Sequence, residues 1–249
     1  MTTDRDPIAA PTPSGGLVVA LDGPGSSGKS TVGAEAARRL GYRFCDTGLL
    51  YRAVTWLALE RGVAPADVAG LVQLVGEVRL IADTRGRLRH VHAAGRDVTT
   101  EVRRAPVDRA VSDYARVPEL RAALLPRQHD IASRGGIIMA GRDIGTTILP
   151  DAPLKIYLDA SPEERAKRRA IQRKTTDAGE ADQILTELRR RDAIDTNRET
   201  APLRIAPDAI VVHTDGNSFE ETVGAVVRAV REATGRPAKV RAGGFGSGR

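Results

Sequence analysis

One segment of this chain reads Gly23-Pro24-Gly25-Ser26-Ser27-Gly28-Lys29-Ser30-Thr31 and directly follows the apolar run Leu17–Leu21. It fits G-x-x-x-x-G-K-[ST], the pattern of a phosphate-binding loop between a buried strand and a helix. Small residues let the backbone curl so that its N–H groups point at phosphate oxygens, near the positive end of the helix. We expect Lys29 to reach the outer phosphates and the Ser30 hydroxyl to bind Mg²⁺. The whole segment is therefore predicted to hold a nucleoside triphosphate.

The composition is that of a globular protein, with either one large domain or a domain that carries insertions. The chain has 249 residues, of which 41% are hydrophobic and 28% are charged. The single cysteine, Cys45, excludes an internal disulfide and suits a reducing compartment. No apolar run approaches the ~18 residues that span a membrane, so we expect a soluble, cytoplasmic protein. Residues 1–16 lack the apolar segment of a signal peptide and are predicted to be a disordered arm, and residues 236–249 a flexible basic tail.

Two classes of partner are consistent with the positive charge of the chain. A net charge of +6 and an isoelectric point near 9.9 suit either nucleic acid or small polyanionic substrates. Aromatic residues make up only 3% of the chain, which leaves few rings for base stacking and argues against a single-strand-binding surface. We therefore expect small phosphorylated substrates, and we do not expect nucleic acid or a membrane as partners.

Apolar runs alternate with helical patterns along residues 17–235. Strands are predicted at residues 17–21, 42–45, 136–140, 154–158 and 209–212. One helix is predicted to begin after Ser161, which is an N-cap residue followed by Pro162 at the first helical position and Glu164 at the third. Strands that alternate with helices describe an α/β fold with a doubly wound parallel sheet.

Two parts of the chain depart from this alternation. Residues from about 63 to 105 combine a short helix with alternating strands and turn residues, and are predicted to form a small inserted α+β unit. Residues from about 165 to 191 are very basic with a polar break in the middle, and are predicted to form a helical lid that excludes water. The alternative for the second part is a charge-rich, solvated helix pair.

Polar and cationic residues follow the ends of two predicted strands. Ligands of such sheets gather outside the carboxyl ends of the strands, where Asp46-Thr47-Gly48 and Arg142-Asp143 fall. Arg52 and Arg142 follow these turns and are placed to meet an anion, and planar guanidinium groups suit phosphate. Phosphoryl transfer requires mainly positioning and charge neutralisation. A clamp of arginines around two facing phosphates indicates a kinase of small phosphorylated substrates.

Four motifs occur in order along the chain: GPGSSGKS, DTGLLYR, GRDIGT and RDAIDTNR. Together they resemble bacterial cytidylate kinases, which are P-loop nucleoside monophosphate kinases, and the resemblance spans about residues 17–232. It implies a P-loop kinase fold in which the inserted unit is the nucleoside-monophosphate-binding subdomain. It also implies direct in-line transfer of a phosphoryl group from ATP to CMP or dCMP, with Mg²⁺ and without a covalent intermediate. We expect the enzyme to be a monomer.

The resemblance also implies roles for individual residues of this chain. The residues implied to face the cytosine are Thr47, Arg121 and Asp143. Those implied to hold the acceptor phosphate are Arg52, Arg142 and Arg198. Those implied to lie by the ribose are Ser112, Arg191 and Asp195, with Tyr51 packed against the nucleotide. The catalytic groups, which neutralise the migrating phosphoryl group, are expected to be Lys29, Arg142 and the lid residues Arg165 and Arg169.

The residue before Gly141-Arg142-Asp143 departs from the pattern of the family. An acidic residue is common there, and this chain has Ala140. We therefore predict that Mg²⁺ is bound by Ser30 and water, with no carboxylate ligand. Asp143 itself suits cytosine, because a carboxylate accepts a hydrogen bond from the 4-amino group. Uracil has an oxygen at that position, and two facing acceptors repel, so we expect a preference for CMP over UMP.

Two other interpretations are open on the sequence alone. A different small-molecule kinase, with UMP, dTMP or shikimate as its acceptor, would carry the same loop. A P-loop GTPase or an RNA-binding module would explain the loop and the basic charge. Against the second interpretation, the chain has no N-K-x-D guanine-reading motif and few aromatic residues.

Overall fold

The structure is a computed structural model, and it describes residues 16–235 except residue 176. The predicted basic tail and nearly all of the predicted N-terminal arm lie outside these residues. Gly16, the last residue of that arm, is described, and its carbonyl accepts a hydrogen bond from the Gly136 amide at 2.8 Å. Within the described part of the chain, no helix combines the length and the apolar composition that a membrane crossing requires.

A single sheet runs through the described residues. Its strands are β1 (Val18–Asp22), β2 (Arg43–Asp46), β3 (Val78–Ala82), β4 (Arg87–Ala93), β5 (Arg96–Asp97), β6 (Ile137–Ala140), β7 (Leu154–Asp159) and β8 (Ile210–His213). Their order is β3-β4-β2-β6-β1-β7-β8, with β5 on β4. The strands β2, β6, β1, β7 and β8 are parallel to one another, so their carboxyl ends share one edge. The predicted α/β fold with a doubly wound parallel sheet is confirmed.

Eight α-helices connect and flank these strands in the described residues. They are α1 (Lys29–Leu40), α2 (Gly48–Arg61), α3 (Val68–Val75), α4 (Ala105–Ala115), α5 (Pro118–Ser133), α6 (Pro162–Arg173), α7 (Ala178–Asn197) and α8 (Phe219–Ala233). The predicted start of α6 is confirmed, because the Ser161 side chain accepts a hydrogen bond from the Glu164 amide. Gly41 ends α1 in the left-handed conformation, with φ of 71°, which glycine adopts without steric cost.

The central strands are buried on both faces of the sheet. Val19 and Ile138 pack toward one side with Val226 of α8, and Met139 and Cys45 pack toward the other. Such two-sided burial explains why these strands read as continuous apolar runs rather than alternating ones. Burial raises the pKa of the Cys45 thiol far above its usual range, so this cysteine is a small core residue and no nucleophile.

The inserted unit joins the main sheet. Strands β3, β4 and β5 are antiparallel, as expected. However, β4 also pairs in parallel with β2, with Phe44 opposite Arg87 and Cys45 opposite Leu88. The insertion therefore extends the main sheet instead of forming a sheet of its own, and it covers the edge that β2 would otherwise leave unpaired.

The predicted lid corresponds to α6 and α7, which pack against each other as a hairpin. Its helices share a small apolar cluster made of Ala166, Ile184 and Leu188, with Ala170 and Leu185 beside it. The polar break lies between Arg173, where α6 ends, and Ala178, where α7 begins. We call these two helices the lid hairpin below.

Candidate active site

A cleft of about 760 Å³ opens at the carboxyl edge of the sheet. It lies between the loop after β1, the first turn of α2, helix α4, the turn after β6 and the lid hairpin. Every residue predicted to bind the acceptor lines it: Thr47, Tyr51, Arg52, Ser112, Arg121, Arg142, Asp143, Arg191, Asp195 and Arg198. The fold thus brings together residues that are up to about 150 positions apart, at the sheet edge where ligands of this fold bind.

The loop after β1 forms one wall of the cleft. Gly25, Ser26 and Gly28 to Thr31 line the cleft directly, whereas Gly23, Pro24 and Ser27 do not. Gly23 has no space for a side chain, since a Cβ there would lie 2.2 Å from the Leu158 carbonyl oxygen. Lys29 Nζ donates to the Pro24 carbonyl at 2.6 Å and to Ser27 Oγ at 3.3 Å. Burial, reinforced by the nearby Arg142 cation, lowers the pKa of Lys29.

Ser30 and Asp46 meet at the base of this loop. Ser30 Oγ donates to Asp46 Oδ2 at 2.5 Å, and the Gly48 amide donates to Asp46 Oδ1 at 3.1 Å. In the β2–β6 register Asp46 lies opposite Ala140, so a strand-end carboxylate that β6 lacks is present on the neighbouring strand. A hydroxyl and a carboxylate are the hard oxygen donors that Mg²⁺ prefers. Asp46 was not among the predicted magnesium ligands, although its place at a strand end was a usable signal.

A second strand-end carboxylate, Asp22, holds the turn after β6. Its two oxygens accept hydrogen bonds from the Ile144 and Gly145 amides at 2.8 and 2.7 Å. Burial raises the pKa of Asp22 to about 6, against the lowering effect of these two amides. Because Ile144 follows Arg142 and Asp143 directly, Asp22 fixes the segment that carries both of these site residues.

Asp143 forms one corner of the cleft with two buried arginines. It accepts hydrogen bonds from Arg121 and, at 3.1 Å, from Arg198 Nη2. The Arg121 guanidinium also lies 5.3 Å from the centre of the Tyr51 ring, a cation–π contact. Thr47 is nearby at the ends of β2 and β6, where its hydroxyl donates to the Ala140 carbonyl at 3.0 Å. This corner offers a carboxylate, guanidinium groups and an aromatic ring to a planar ligand.

Another corner of the cleft is dominated by paired arginines and aspartates. Arg142 Nε donates to Asp195 Oδ2 at 2.8 Å, which joins the turn after β6 to α7. Arg52 Nη2 and Arg191 Nη1 donate to Asp108 Oδ1 at 2.6 and 3.0 Å. The sequence prediction did not include Asp108 among the residues of the cleft, because nothing local distinguishes it from other acidic residues in the first turn of a helix.

Arg165 and Arg169 of the lid hairpin take different positions. Arg169 lines the cleft, as predicted. Arg165 does not line it: its guanidinium donates to the carbonyls of Ala160 and Gly25 at 3.0 and 3.1 Å and to Asp192 at 2.6 Å. Arg165 therefore fastens the lid hairpin to the loop after β1, and its catalytic role stays a prediction.

The inserted unit adds arginines that the sequence prediction did not use. Arg87, Arg89 and Arg103 line the cleft beside Thr99. Burial lowers the pKa of Arg103, and the Asp46 carboxylate opposes that effect while the neighbouring guanidinium groups add to it. The cleft is thus strongly cationic on several sides, which suits ligands that carry more than one phosphate.

Comparison with known proteins agrees with this chemistry. The sequence model of the family described as cytidylate kinase matches residues 19–232. A cytidylate kinase of Mycobacterium leprae (strain Br4923) is 40% identical over 221 residues, which cover 88% of this chain and 97% of that protein. A cytidylate kinase of Pelotomaculum thermopropionicum is 44% identical over 215 residues, covering 85% and 95%. Among solved structures, a shikimate kinase from Acinetobacter baumannii in complex with shikimate has a TM-score of 0.44 and 15% identity, covering 88% and 95%.

Proposed function

We propose roles for the residues of the cleft on one premise: this chain belongs to the cytidylate kinase family. Its reaction is the phosphorylation of CMP with ATP as the co-substrate. The observation that carries the assignment of roles is the layout of the cleft. A phosphate-binding loop forms one wall, and a buried carboxylate held by two arginines, Asp143, forms a corner of the same cleft. The two ends suit a triphosphate and a cytosine base.

The loop after β1 is proposed to hold the donor. Its backbone N–H groups bind the phosphates of ATP, and Lys29 neutralises the charge that moves with the transferred group. Ser30 and Asp46 are proposed to hold Mg²⁺, since their oxygens already lie in contact. The bound ion would neutralise charge on the triphosphate. Asp46 thereby replaces our prediction that no carboxylate takes part.

The acceptor is proposed to lie between the two corners of the cleft. Asp143, Arg121 and Thr47 receive the cytosine, with Tyr51 packed against the nucleotide. Ser112, Arg191 and Asp195 lie by the ribose, and Arg52 and Arg142 bind the phosphate. Arg198 is proposed to reach that phosphate from the base side, since its Nε and Nη2 are bonded to Ala201 and Asp143 and its Nη1 has no partner among the described residues.

The lid hairpin is proposed to complete the site when both nucleotides are bound. Arg169 would then neutralise charge in the transition state, and Arg165 would keep the hairpin on the loop. Exclusion of water matters because the same cleft would otherwise hydrolyse ATP instead of transferring its phosphoryl group. The transfer itself is in-line, with no covalent intermediate on the protein.

The experiment that tests these proposals is a coupled assay of ADP release with a panel of acceptors. We expect ADP release to depend on CMP or dCMP and to be much slower with UMP, dTMP or shikimate. Equal rates with UMP would contradict the role of Asp143, and no stimulation by CMP would contradict the whole assignment. The cytoplasmic location and the monomeric state stay predictions, and sedimentation of the purified protein checks the second.

Asp143→Asn is the sharpest single change at the base. An amide presents both an acceptor and a donor, so it tolerates the oxygen of uracil as well as the amino group of cytosine. We expect the CMP-to-UMP ratio of kcat/KM to fall by about tenfold or more. The free energy of unfolding is measured in parallel, because Arg121 and Arg198 lose an ionic partner. An unchanged ratio in a folded variant removes Asp143 from base recognition.

A further inference from the structure

The carboxylate of Asp108 is a contact point for four helices at the cleft. It lies in the first turn of α4 and is only 5% exposed. Besides its bonds from Arg52 of α2 and Arg191 of α7, it accepts hydrogen bonds through Oδ2 from Arg169 and Arg173 of α6, at 2.5 and 3.4 Å. None of the roles proposed above uses this carboxylate.

The convergence of four guanidinium groups on one carboxylate has an energetic cost that must be offset. They carry the same charge and repel one another, and burial adds to the cost of each cation. Each also sits on a flexible stem that loses rotamer freedom when it is held in one place. A central anion offsets both costs, and Asp108 is the carboxylate that all four share.

The bonds to Asp108 leave donors on these arginines for a second anion. A guanidinium has five N–H donors. Arg191 uses only Nη1 in the hydrogen bonds of the described residues. Arg52 uses Nη2 for Asp108 and Nη1 for the Val102 carbonyl, so its Nε is not committed. A phosphate can therefore bind to Arg52, and a ribose hydroxyl to Arg191, while Asp108 stays in contact with both arginines.

We infer that Asp108 is a positioning residue that holds Arg52 in place for the acceptor phosphate and ties the lid hairpin to it. The inference rests on the proposed function, in which Arg52 binds that phosphate. Asp108 has no contact with the substrate in this scheme and acts through the guanidinium groups. Its negative charge also repels a phosphate. We expect the positioning effect to be the larger of the two, because an uncompensated cluster of cations would spread apart.

The test compares Asp108→Asn with Asp113→Asn. Asp113 lies on the same helix and pairs with Arg190 of α7 at 3.0 Å, but this pair is largely exposed and does not line the cleft. Asparagine keeps the size of each side chain and removes its charge. Binding of CMP and of cytidine, which lacks the phosphate, is measured by calorimetry for both variants and for the unchanged protein.

We expect Asp108→Asn to raise the Kd for CMP by about tenfold, comparable to the loss of one charge-assisted hydrogen bond. The Kd for cytidine and the KM for ATP should change by less than about twofold, and Asp113→Asn should leave all three values unchanged. Asp108→Glu restores the charge and should recover part of the CMP affinity. If Asp108 had only a structural role, Asp108→Asn would weaken the binding of cytidine and of CMP equally.

Three results would overturn the inference: an unchanged Kd for CMP, a tighter one, or an equal loss for cytidine. Arg52→Ala separates this failure from a failure of the proposed function. Suppose that Arg52→Ala weakens the binding of CMP but not of cytidine, while Asp108→Asn changes the binding of neither ligand. In that case the assignment of the acceptor phosphate stands, and only the role of Asp108 is wrong. If Arg52→Ala also leaves CMP binding unchanged, the assignment of the acceptor phosphate is itself wrong.

Discussion

The sheet and the lid hairpin of this kinase are held in place by different interactions. The central strands are buried in apolar clusters on both faces, with Ile138 and Met139 inaccessible to solvent. The lid hairpin has a small apolar cluster within it, and charged groups link it to the rest of the protein. Among these links are Arg165 with the Gly25 carbonyl, Asp195 with Arg142, and the arginines around Asp108.

The difference separates contacts that must persist, the apolar ones, from contacts that can be exchanged, the ion pairs. Apolar burial is non-directional and has no substitute partner in water, so it fixes the position of the strand ends that carry the site. An ion pair can be replaced by a contact between the same arginine and a phosphate, at small net cost. We therefore expect that the lid hairpin, which arginines hold, can move when nucleotides bind without disturbing the sheet beneath it.

The largest effect is expected from a truncation in the sheet. Ile138→Ala should lower the free energy of unfolding by about 2–5 kcal/mol, the range for a buried aliphatic side chain cut to alanine. The matched change in the lid hairpin is Ile171→Ala, where the side chain is 69% exposed, and it should alter stability by less than about 0.5 kcal/mol. Urea unfolding followed by circular dichroism measures both. Similar losses for the two variants would contradict the comparison.

Lys29→Met tests whether the loop wall serves chemistry rather than stability. Methionine is unbranched like lysine and one atom shorter, and it removes the buried cation, so the fold should tolerate it. We expect kcat to fall by on the order of 10²–10³, as for the loss of one preorganised charge contact in a transition state. The free energy of unfolding should not fall, because burial already disfavours the charged form of Lys29. More than half of the activity remaining would refute this role.

Asp22 is a polar group inside the apolar part of the molecule, and it gives a pH signature. Its pKa is raised from 3.8 to about 6 by burial, so the folded state binds this proton more tightly than the unfolded state does. Asp22 therefore contributes stability below about pH 4 that is lost as the pH rises through about 6, amounting to about 3 kcal/mol at most. The Asp22→Asn variant lacks this titration.

The measurement is the difference in free energy of unfolding between the variant and the unchanged protein from pH 4 to pH 7. We expect the variant to gain relative stability as the pH rises across this window. A constant difference would mean that the carboxylate ionises without cost, and that the two amides from Ile144 and Gly145 fully compensate its burial.

The smallest effect is expected from salt, which should act on the lid hairpin and not on the sheet. Raising the salt concentration from about 0.1 M to about 1 M shortens the Debye length from about 10 to about 3 Å. Lys174, at the end of α6, is a trypsin site with a left-handed backbone, at φ of 58°. We expect cleavage there to accelerate by only a few-fold, by local opening, while the free energy of unfolding stays nearly constant. Cleavage of an unstructured peptide corrects for the effect of salt on trypsin.

Much of the scaffold could be predicted because its signals are local. The apolar run before Gly23, the glycine after Leu40 and the Ser161 cap each report on the backbone within a few residues. The pairing of β4 with β2 could not be predicted in this way, because strand order depends on contacts between residues about 43 positions apart, such as Phe44 and Arg87. Register of that kind has no signature in a single sequence.

The same distinction between local signals and contacts of distant residues applies to the site. The resemblance to the family supplied the acceptor residues, and all of them line one cleft, including Ser112 and Arg121, which lie outside the four motifs. The role of Asp108 could not be predicted, because its partners come from three other helices and the sequence around it is ordinary. The contacts of Arg165 with the Gly25 carbonyl and with Asp192 could not be predicted either, and its catalytic role stays a prediction. Which way a long side chain turns depends on the partners that folding supplies.

The only cysteine of the chain lies at the centre of the sheet, directly before Asp46. With no solvent exposure and a thiol that burial keeps protonated, Cys45 reacts with a labelling reagent only when the strands part. The alkylation rate of Cys45 therefore measures how often the sheet opens. Movement of α6 and α7 alone should not change this rate. Trypsin sensitivity at Lys174 and thiol reactivity at Cys45 together distinguish local opening of the lid hairpin from unfolding of the sheet. Neither measurement needs an engineered probe.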